Sequence, residues 1–253
     1  MSTPLAQYGL IGLKLGHSFS QRFFTEKFAR EGIAARYDLY ELPSVSGLPD
    51  LLDRYPDLRG LNVTIPYKER VLPYLSDLSP EAEAVGAVNT IRREGDRLVG
   101  HNTDIYGFER SLHAFLQGEE PTSALILGTG GAAKAVSYVL ETRWHMHWQM
   151  VSRAPQGNHQ LSYAALPHVN LADFRLIINT TPLGMYPDTG SSPALPYEAL
   201  GPDHRVFDLV YNPAETLLMA QARAQGARVV NGMDMLIYQA ERAWEIWQGE
   251  DAG

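Results

Sequence analysis

The feature that most constrains the fold is a glycine-rich turn between an apolar run and a helix-like segment. Residues 124–133 read ALILGTGGAA, so Gly128, Gly130 and Gly131 directly follow a predicted strand. Glycine permits a tight turn at the first position. At the second it lets the backbone approach a pyrophosphate, which then binds the N–H groups of the helix start. Ala133 takes the third position, where glycine or alanine packs the helix on its strand. The turn predicts a dinucleotide site; an ordinary β–α turn is the alternative.

The end of the next predicted strand, Trp148–Ser152, indicates which dinucleotide binds. A site for NAD places an acidic residue there on the ribose 2′-hydroxyl, whereas this chain continues with Arg153 and Ala154. A carboxylate would repel a 2′-phosphate, and a guanidinium pairs with one. We therefore expect NADP (NADPH) rather than NAD; a solvated surface arginine is the alternative.

Strand-like and helix-like segments alternate along the chain, which predicts an α/β fold with a largely parallel sheet. A polar connection at Gly118–Thr122 separates two halves, and the second half has the order of a doubly wound nucleotide-binding sheet. Asp234 could cap a last helix that ends at Trp247 and must dock on another part of the chain. Predicted strands are 8–13, 35–41, 60–65, 88–92, 98–102, 123–127, 148–152, 175–180, 206–210 and 227–230; predicted helices are 21–30, 45–55, 104–117, 131–142, 214–225 and 234–247.

Small polar side chains gather at predicted strand ends of the first half. They lie in residues 16–20 (GHSFS), 60–68 (GLNVTIPYK), 86–90 (GAVNT) and 100–104 (GHNTD). Hydroxyls, amides, one lysine and one aspartate that converge at strand ends suit a small polyhydroxylated anion.

Each of these residues also has a plain structural alternative. Ser18, Ser20 and Asp104 could cap helices, and Lys68 could be a solvated first-turn lysine. Opposite a nicotinamide cofactor, however, a hydride transfer needs a proton donor and a group that binds the alcohol. Lys68 and Asp104 supply that pair.

The same segments resemble, in order and spacing, the motifs of the shikimate dehydrogenase family. The match extends from Tyr8 to Trp247. It also includes residues 128–133 (GTGGAA), 179–185 (NTTPLGM), 208–213 (DLVYNP) and 232–240 (GMDMLIYQA). The resemblance implies two domains: an N-terminal α/β substrate domain of residues 1–105 plus 233–253, completed by the C-terminal helix, and a Rossmann-like doubly wound NADP domain of residues 106–232.

The resemblance also implies a role for each site residue. Lys68 and Asp104 would be catalytic. Shikimate would be bound by Ser18, Ser20, Thr64, Asn89, Asp104, Tyr211 and Gln239. NADP would be bound by Gly128, Thr129, Gly130, Gly131, Ala132, Ser152, Arg153 and Gly232. The family's usual Asn-Arg-Thr is Ser-Arg-Ala at 152–154, and the basic residue often found shortly after is missing from 155–160, which weakens the 2′-phosphate pocket.

The activity implied is the reversible reduction of 3-dehydroshikimate to shikimate by NADPH, a step of aromatic amino-acid biosynthesis. Three alternatives stay open. A quinate/shikimate dehydrogenase would relax the choice of substrate and cofactor. A non-catalytic nucleotide sensor would have no use for the Lys68 and Asp104 pair, and a folate-type methylene dehydrogenase would need a pterin pocket that the sequence does not reveal.

Composition narrows the partners and the chemistry. The net charge of −8 has the wrong sign for a nucleic-acid binder and does not favour an anionic membrane. There is no cysteine, which excludes thiol chemistry, and the eight histidines form no H-E-x-x-H pattern, so we expect no metal site. No run is long and apolar enough for a spanning helix. We expect a cytoplasmic enzyme with a small-molecule substrate, as a monomer or a homodimer.

Overall fold

Two six-stranded sheets organise the chain, and each lies in one of two compact units. One unit runs up to Thr103 and includes the chain from Gln239 onward; the other is Asp104–Tyr238. The computed structural model describes residues 5–16 and 18–249. His17 of the predicted GHSFS motif and the last residues of the predicted substrate domain lie outside the described residues.

The first unit alternates strands and helices and ends in a hairpin. Its strands are β1 (Ala6–Gly12), β2 (Ala35–Glu41), β3 (Leu58–Val63), β4 (Asp77–Leu78), β5 (Thr90–Glu94) and β6 (Arg97–His101). Its helices are α1 (Phe19–Glu31), α2 (Leu48–Arg54) and α3 (Pro80–Val85), and α4 (Thr103–Leu116) follows.

The first sheet is mixed, with the strand order β2-β1-β3-β5-β6-β4. The predicted parallel pairing holds for β1 with β2 and β3, whereas β5 is antiparallel to both of its neighbours. A short turn at Gly95, which has a φ of 64°, joins β5 to β6, and so short a connection can join only antiparallel strands. As a result, β5 begins at the edge of the sheet where β3 and β6 end.

Helix α1 packs on this sheet through aromatic side chains. Phe24 and Phe28 are buried against Tyr37 of β2 and Tyr8 of β1. Lys27 on the same helix is only 7% exposed and forms ion pairs with Glu31 and Glu241.

The Lys27 ion pairs hold the end of the last helix, α7 (Met233–Trp247), against α1. Burial alone would lower the pKa of Lys27, but the hydrogen bonds to Glu241 and Glu31 outweigh burial and raise this pKa above its ordinary value. Lys27 therefore stays charged.

Trp247 anchors the end of α7 on the sheet. Its indole N–H donates to the Ile91 carbonyl at 3.0 Å, and its ring stacks on Tyr8 with centroids 4.8 Å apart. The ring lies directly over Gly60, where a Cβ would come within 2.3 Å of the indole nitrogen. Only a glycine at this position of β3 leaves room for the indole.

The second unit contains a fully parallel sheet with α4 before it. Its strands are β7 (Ser123–Leu127), β8 (His147–Ser152), β9 (Gln160–Ser162), β10 (Leu176–Asn179), β11 (Arg205–Asp208) and β12 (Arg228–Asn231). Its helices are α5 (Gly131–Thr142) and α6 (Leu217–Ala224), with α7 after β12.

The strand order is β12-β11-β10-β7-β8-β9. From β7 the chain adds β8 and β9 on one side and then β10, β11 and β12 on the other, as in a doubly wound dinucleotide-binding sheet. Its central strands are buried on both faces, so Leu125, Leu127, Ile177 and Val206 show no exposed surface. The predicted α/β fold is confirmed.

Several predicted elements differ in detail from the structure. The segment 45–55 is a 3₁₀ turn followed by the short α2, because Pro49 suits only a first helical turn. The sequence reading missed β4, α3 and β9, which are too short to show a period. Asp234 lies inside α7 and does not cap it; the Asn231 side chain instead accepts the Met233 N–H at 3.1 Å.

We expect Gly60→Ala to lower the free energy of unfolding by about 1 to 3 kcal/mol, since the added methyl must displace the Trp247 indole. Gly47→Ala is the matched control, because a Cβ there meets its nearest neighbour, Leu42, at an ordinary 3.6 Å. Urea unfolding of both variants is the measurement. Equal stability of the two variants would show that the indole is not held over Gly60.

Candidate active site

The residues predicted to bind shikimate in the first unit gather at one edge of its sheet. Thr64 directly follows β3, Asn89 directly precedes β5, and Asn102 and Thr103 follow β6. The antiparallel direction of β5 explains the convergence, because the start of β5 pairs with the ends of its two neighbours. Gln239 of α7 reaches the same edge, where its carbonyl oxygen accepts from the Thr103 hydroxyl at 3.3 Å.

Asn89 is the centre of this group and is only 3% exposed. Its Oδ1 accepts the Thr103 N–H at 2.7 Å, which satisfies a donor at the start of α4. Its Nδ2 donates to the Thr103 hydroxyl at 3.0 Å. Asn89 therefore fixes the start of the helix that carries Asp104.

Asn89 is held by hydrogen bonds from two buried residues that we did not assign to the site, Asn62 and Thr90. Asn62 Nδ2 donates to the Thr90 hydroxyl at 3.1 Å and to the Asn89 carbonyl at 3.3 Å. The Thr90 hydroxyl in turn donates to Asn89 Oδ1 at 3.2 Å. Asn62 and Thr90 belong to the GLNVT and GAVNT segments. Their place in these polar motifs was the only feature of the sequence that pointed to a role in the site.

The two predicted serines have different environments. Ser18 is the N-cap of α1, and its hydroxyl accepts the Gln21 N–H at 3.5 Å. The alternative prediction, that Ser18 caps a helix, is therefore confirmed. Ser20 lies in the first turn of α1, where its side chain is a hydrogen-bonding neighbour of the buried Tyr37 phenol. Both serines are half-buried at the helix start.

Lys68 lies in the loop that follows β3 and is half-buried. The loop is tied down by its backbone: the Thr64 N–H bonds to the Ile11 carbonyl at 3.0 Å, and the Lys68 carbonyl accepts the Val88 N–H at 2.7 Å. Asn102 Nδ2 holds the neighbouring loop through the Ala87 carbonyl at 2.9 Å. These bonds place the Lys68 backbone beside the loop that carries Asn89.

Asp104 is the second residue of α4 and is 7% exposed. A carboxylate in the first turn of a helix is stabilised by the helix dipole and by N–H groups without an intrahelical partner. The structure assigns Lys68 to the first unit and Asp104 to the second. Their pairing in catalysis therefore stays a prediction.

The glycine-rich turn of the second unit fits a pyrophosphate. Gly128 has a φ of 112°, and a Cβ there would meet the Thr180 hydroxyl at 2.7 Å, so the tight turn requires glycine. At Gly130 a Cβ would meet no heavy atom within 4 Å, which leaves space above the start of α5. Within the described part of the chain, no side chain caps this helix, so the first-turn N–H groups of Gly131 and Ala132 are available to an anion.

The end of β8 carries the predicted adenosine-phosphate residues. The Ser152 hydroxyl accepts the Ala154 N–H at 3.2 Å and shapes the turn, and Arg153 is exposed. Burial raises the pKa of Tyr163, and the positive charge of Arg153 lowers it in part, so this guanidinium lies near the Tyr163 ring. An exposed arginine at the end of β8, without an acid in its place, fits a 2′-phosphate.

The predicted Gly232 and Tyr211 belong to two segments in close contact. A Cβ on Gly232 would lie 2.1 Å from the Leu209 carbonyl oxygen, so the approach of these two backbones requires glycine. The Gly232 N–H donates to the Val210 carbonyl at 3.2 Å. Gly232 therefore has a structural reason for being glycine, beside any contact with the cofactor.

A buried carboxylate that the sequence analysis missed fixes the segment before Tyr211. Asp208, at the end of β11, has no exposed surface. Its Oδ1 accepts from Asn179 Nδ2 at 2.8 Å and from the Val210 N–H at 3.0 Å, and its Oδ2 accepts from the Thr216 hydroxyl. Burial raises the pKa of Asp208 above its ordinary value, although its three hydrogen bonds lower it in part.

The described ranges, 5–16 and 18–249, contain neither a candidate metal site nor a helix suited to a membrane. No group of three or more His, Asp or Glu side chains could hold a metal ion in that part of the chain. Among the helices of these ranges, none combines the length and the apolar character needed to cross a bilayer.

Known proteins resemble this chain over nearly its full length. A family model, the shikimate dehydrogenase substrate binding domain, matches residues 10–91. A shikimate dehydrogenase (NADP(+)) of Geobacillus kaustophilus is 38% identical, over 96% of this chain and 92% of that protein. The crystal structure of a chorismate mutase/shikimate 5-dehydrogenase fusion protein from Clostridium acetobutylicum is 37% identical, with a TM-score of 0.88 over 99% of this chain and 93% of that one.

A third relative was crystallised with ligands. Shikimate 5-dehydrogenase of Thermus thermophilus, in complex with NADP(H) and shikimate, is 32% identical, with a TM-score of 0.82 over 96% of this chain and 93% of that one. The doubly wound fold and these similarities define a dinucleotide-dependent oxidoreductase. The chain belongs to the shikimate dehydrogenase family, and the predicted family is confirmed.

We expect the stability difference between the unaltered chain and Asp208→Asn to depend on pH. Because the folded pKa of Asp208 lies above its unfolded value, its contribution to the free energy of unfolding is largest below the unfolded pKa and decreases as pH rises through the folded pKa. Urea unfolding between about pH 4 and pH 7 measures this difference. The unaltered chain should lose stability relative to the variant as pH rises. A difference that is constant with pH would contradict the raised pKa.

Proposed function

We propose that the chain is an NADP-dependent shikimate dehydrogenase, which reversibly reduces 3-dehydroshikimate to shikimate. The observation that carries this proposal is the similarity of both units to the Thermus thermophilus enzyme, whose crystal structure holds NADP(H) and shikimate together. The relatives from Geobacillus kaustophilus and Methanococcus maripaludis are both named shikimate dehydrogenase (NADP(+)). A quinate dehydrogenase of Corynebacterium glutamicum with NAD is also similar, at 31% identity. The exposed Arg153, in place of an acid, favours NADP over NAD. Because the quinate dehydrogenase was crystallised with NAD, Arg153 also favours the shikimate dehydrogenase over the quinate alternative.

The groups of the second unit support binding of NADP. The start of α5 would hold the pyrophosphate through the N–H groups of Gly131 and Ala132, beside Thr129 and the space over Gly130. Ser152 and Arg153 would bind the adenosine phosphate, and Gly232 would lie at the nicotinamide end. When bound, NADP donates or accepts the hydride.

The groups of the first unit support binding of a ring with several hydroxyls. Ser18, Ser20, Thr64, Asn89 and Gln239 offer hydroxyls and amides in one unit, and Tyr211 would add a phenol from the other. The Lys68 ammonium would stabilise the negative charge that develops on the carbonyl oxygen and donate its proton there. Asp104 would orient this ammonium and accept a hydrogen bond from the adjacent hydroxyl.

Purified protein with shikimate or quinate and NADP⁺ or NAD⁺ tests the proposal directly, by the appearance of reduced nicotinamide. We expect the fastest reduction with shikimate and NADP⁺. Faster turnover of quinate with NAD⁺ would favour the alternative, and no turnover of either substrate would overturn the proposal.

We expect Lys68→Ala to lower kcat by about 10² to 10⁴, with a much smaller change in KM for shikimate, because general acid–base catalysis is lost. Steady-state kinetics at saturating NADP⁺ measures both constants, and Lys68→Met serves as a second variant that keeps the apolar stem. Normal turnover by either variant would refute the assigned role.

We expect Arg153→Ala to raise KM for NADP⁺ by about 10- to 100-fold and to leave KM for NAD⁺ nearly unchanged, since a charged hydrogen bond to the 2′-phosphate is lost. Arg175→Ala is the matched control, because it removes an exposed arginine just before β10, at the opposite edge of the parallel sheet. Equal effects of Arg153→Ala on both cofactors would show that this residue contacts no 2′-phosphate.

We further propose that the enzyme acts in the cytoplasm on small molecules and not on nucleic acid, as a monomer or a homodimer. The net charge of −8 supports the exclusion of nucleic acid, because a phosphate backbone attracts basic surfaces.

A further inference from the structure

A chain of buried hydrogen bonds connects Tyr37 of β2 to the predicted shikimate residues Asn89 and Gln239. Its first donor is a residue that the sequence did not single out: the Tyr37 hydroxyl donates to Asn62 Oδ1 at 2.8 Å. From Asn62 the bonds pass to Thr90, then to Asn89 and Thr103, and end at Gln239 Oε1. The Thr90 hydroxyl accepts from Asn62 and donates to Asn89, and the Thr103 hydroxyl lies within hydrogen-bond distance of both Asn89 Oδ1, at 3.2 Å, and Gln239 Oε1. One buried network therefore connects the Tyr37 phenol to Gln239.

The surroundings of Tyr37 explain its ring but not its hydroxyl. Tyr37 is 4% exposed, and its ring stacks on Phe24 with centroids 4.7 Å apart and an interplanar angle of 15°. Trp247 lies at 6.3 Å on another side. A phenylalanine would fill this apolar cluster equally well. The hydroxyl is therefore explained by its hydrogen-bond partners, because burying a hydroxyl without a hydrogen-bond partner is costly.

The phenol is a permanent donor. Burial raises the pKa of Tyr37 well above its ordinary value, and the hydrogen-bonding Ser20 side chain only partly opposes this effect. The phenol therefore keeps its proton near neutral pH. Ser20 and Asn62 are both polar neighbours of this hydroxyl.

The Tyr37 donor and the Asn89 carbonyl acceptor together fix which way the Asn62 amide faces. Asn62 Oδ1 accepts from Tyr37, so Nδ2 faces the Asn89 carbonyl and the Thr90 hydroxyl. If the amide turned over, its oxygen would face the Asn89 carbonyl, and two acceptors would oppose each other. The bond from Asn62 Nδ2 to the Thr90 hydroxyl would then be lost as well. At the other end of the network, Gln239 directs its side-chain oxygen at Thr103, so its NH₂ group faces away from Thr103.

We propose that Tyr37 is a positioning residue for the substrate site: its hydroxyl anchors Asn62 and, through Asn62 and Thr90, helps to hold the amides of Asn89 and Gln239 in place. Tyr37 acts through these residues and contacts no substrate. The inference rests on the proposed function, since it assigns the oriented groups to shikimate.

The variant Tyr37→Phe tests this role, because it removes only the hydroxyl and keeps the stacked ring. We expect KM for shikimate to rise about five- to tenfold, the effect of weakening about one hydrogen bond to the ligand. KM for NADP⁺ should not change, and kcat should change much less than KM for shikimate, because the proton donor is untouched.

Tyr8→Phe is the matched control. Tyr8 belongs to the same aromatic cluster, is 2% exposed, and accepts at its hydroxyl from Gln248 at 3.3 Å, away from Asn62. Both variants remove one buried phenol hydroxyl, so the midpoints of thermal unfolding report any purely structural loss. We expect only Tyr37→Phe to raise KM for shikimate.

The outcomes separate the inference from the proposed function. An unchanged KM for shikimate in Tyr37→Phe, or an equal rise in Tyr8→Phe, would overturn the inference and leave the proposed function intact. If the unaltered chain does not turn over shikimate, the proposed function and this inference both fail.

Discussion

Polar side chains buried at the ends of strands must find hydrogen-bond partners, and both units of this protein are organised by that requirement. In the first unit, Asn62, Thr90 and Asn89 come from two neighbouring strands and satisfy one another. In the second, Asp208 draws its donors from Asn179, Val210 and Thr216. Because Asn62 and Asn179 reach these groups from neighbouring strands, satisfying them also fixes the loops that carry the predicted site residues.

The protein carries a net negative charge, yet both proposed ligands are anions. Attraction must therefore come from local groups. The start of α5 has N–H groups without an intrahelical partner and space over Gly130, and Arg153 is exposed at the end of β8. In the first unit, the proposed ligand would meet amides and hydroxyls that are already hydrogen-bonded to one another. Such groups would lose little freedom when a ligand binds, so little binding energy would be spent on ordering them.

Much of the fold was predictable because its strongest signals are local. The bounds of β2, β7 and α5 match the prediction, since alternating or continuous apolar runs and the glycine-rich turn mark them. The short β4 and β9 were missed, because two or three residues cannot show a period. Ser18 and Asn89 were predicted as site residues because they lie in polar segments at predicted strand ends, and their roles stay predictions. Tyr37 and Asp208 were not, because one lies inside a strand and the other carries no sign of burial in its sequence.

The order of the amino acids is enough to specify which chemical groups are available: a glycine turn for a phosphate, an arginine in place of an acid, and a lysine and an aspartate among hydroxyls and amides. Motifs reveal these groups because residue type and short spacing are enough to specify a turn or a charge. Which of these groups share one hydrogen-bond network depends on the folding of distant segments onto one another. The antiparallel β5 brings Asn89 to the edge where β3 and β6 end, and α7 returns Gln239 to it from the far end of the chain. Such contacts join residues up to 136 positions apart, and their geometry depends on strand direction and packing, which no local pattern encodes.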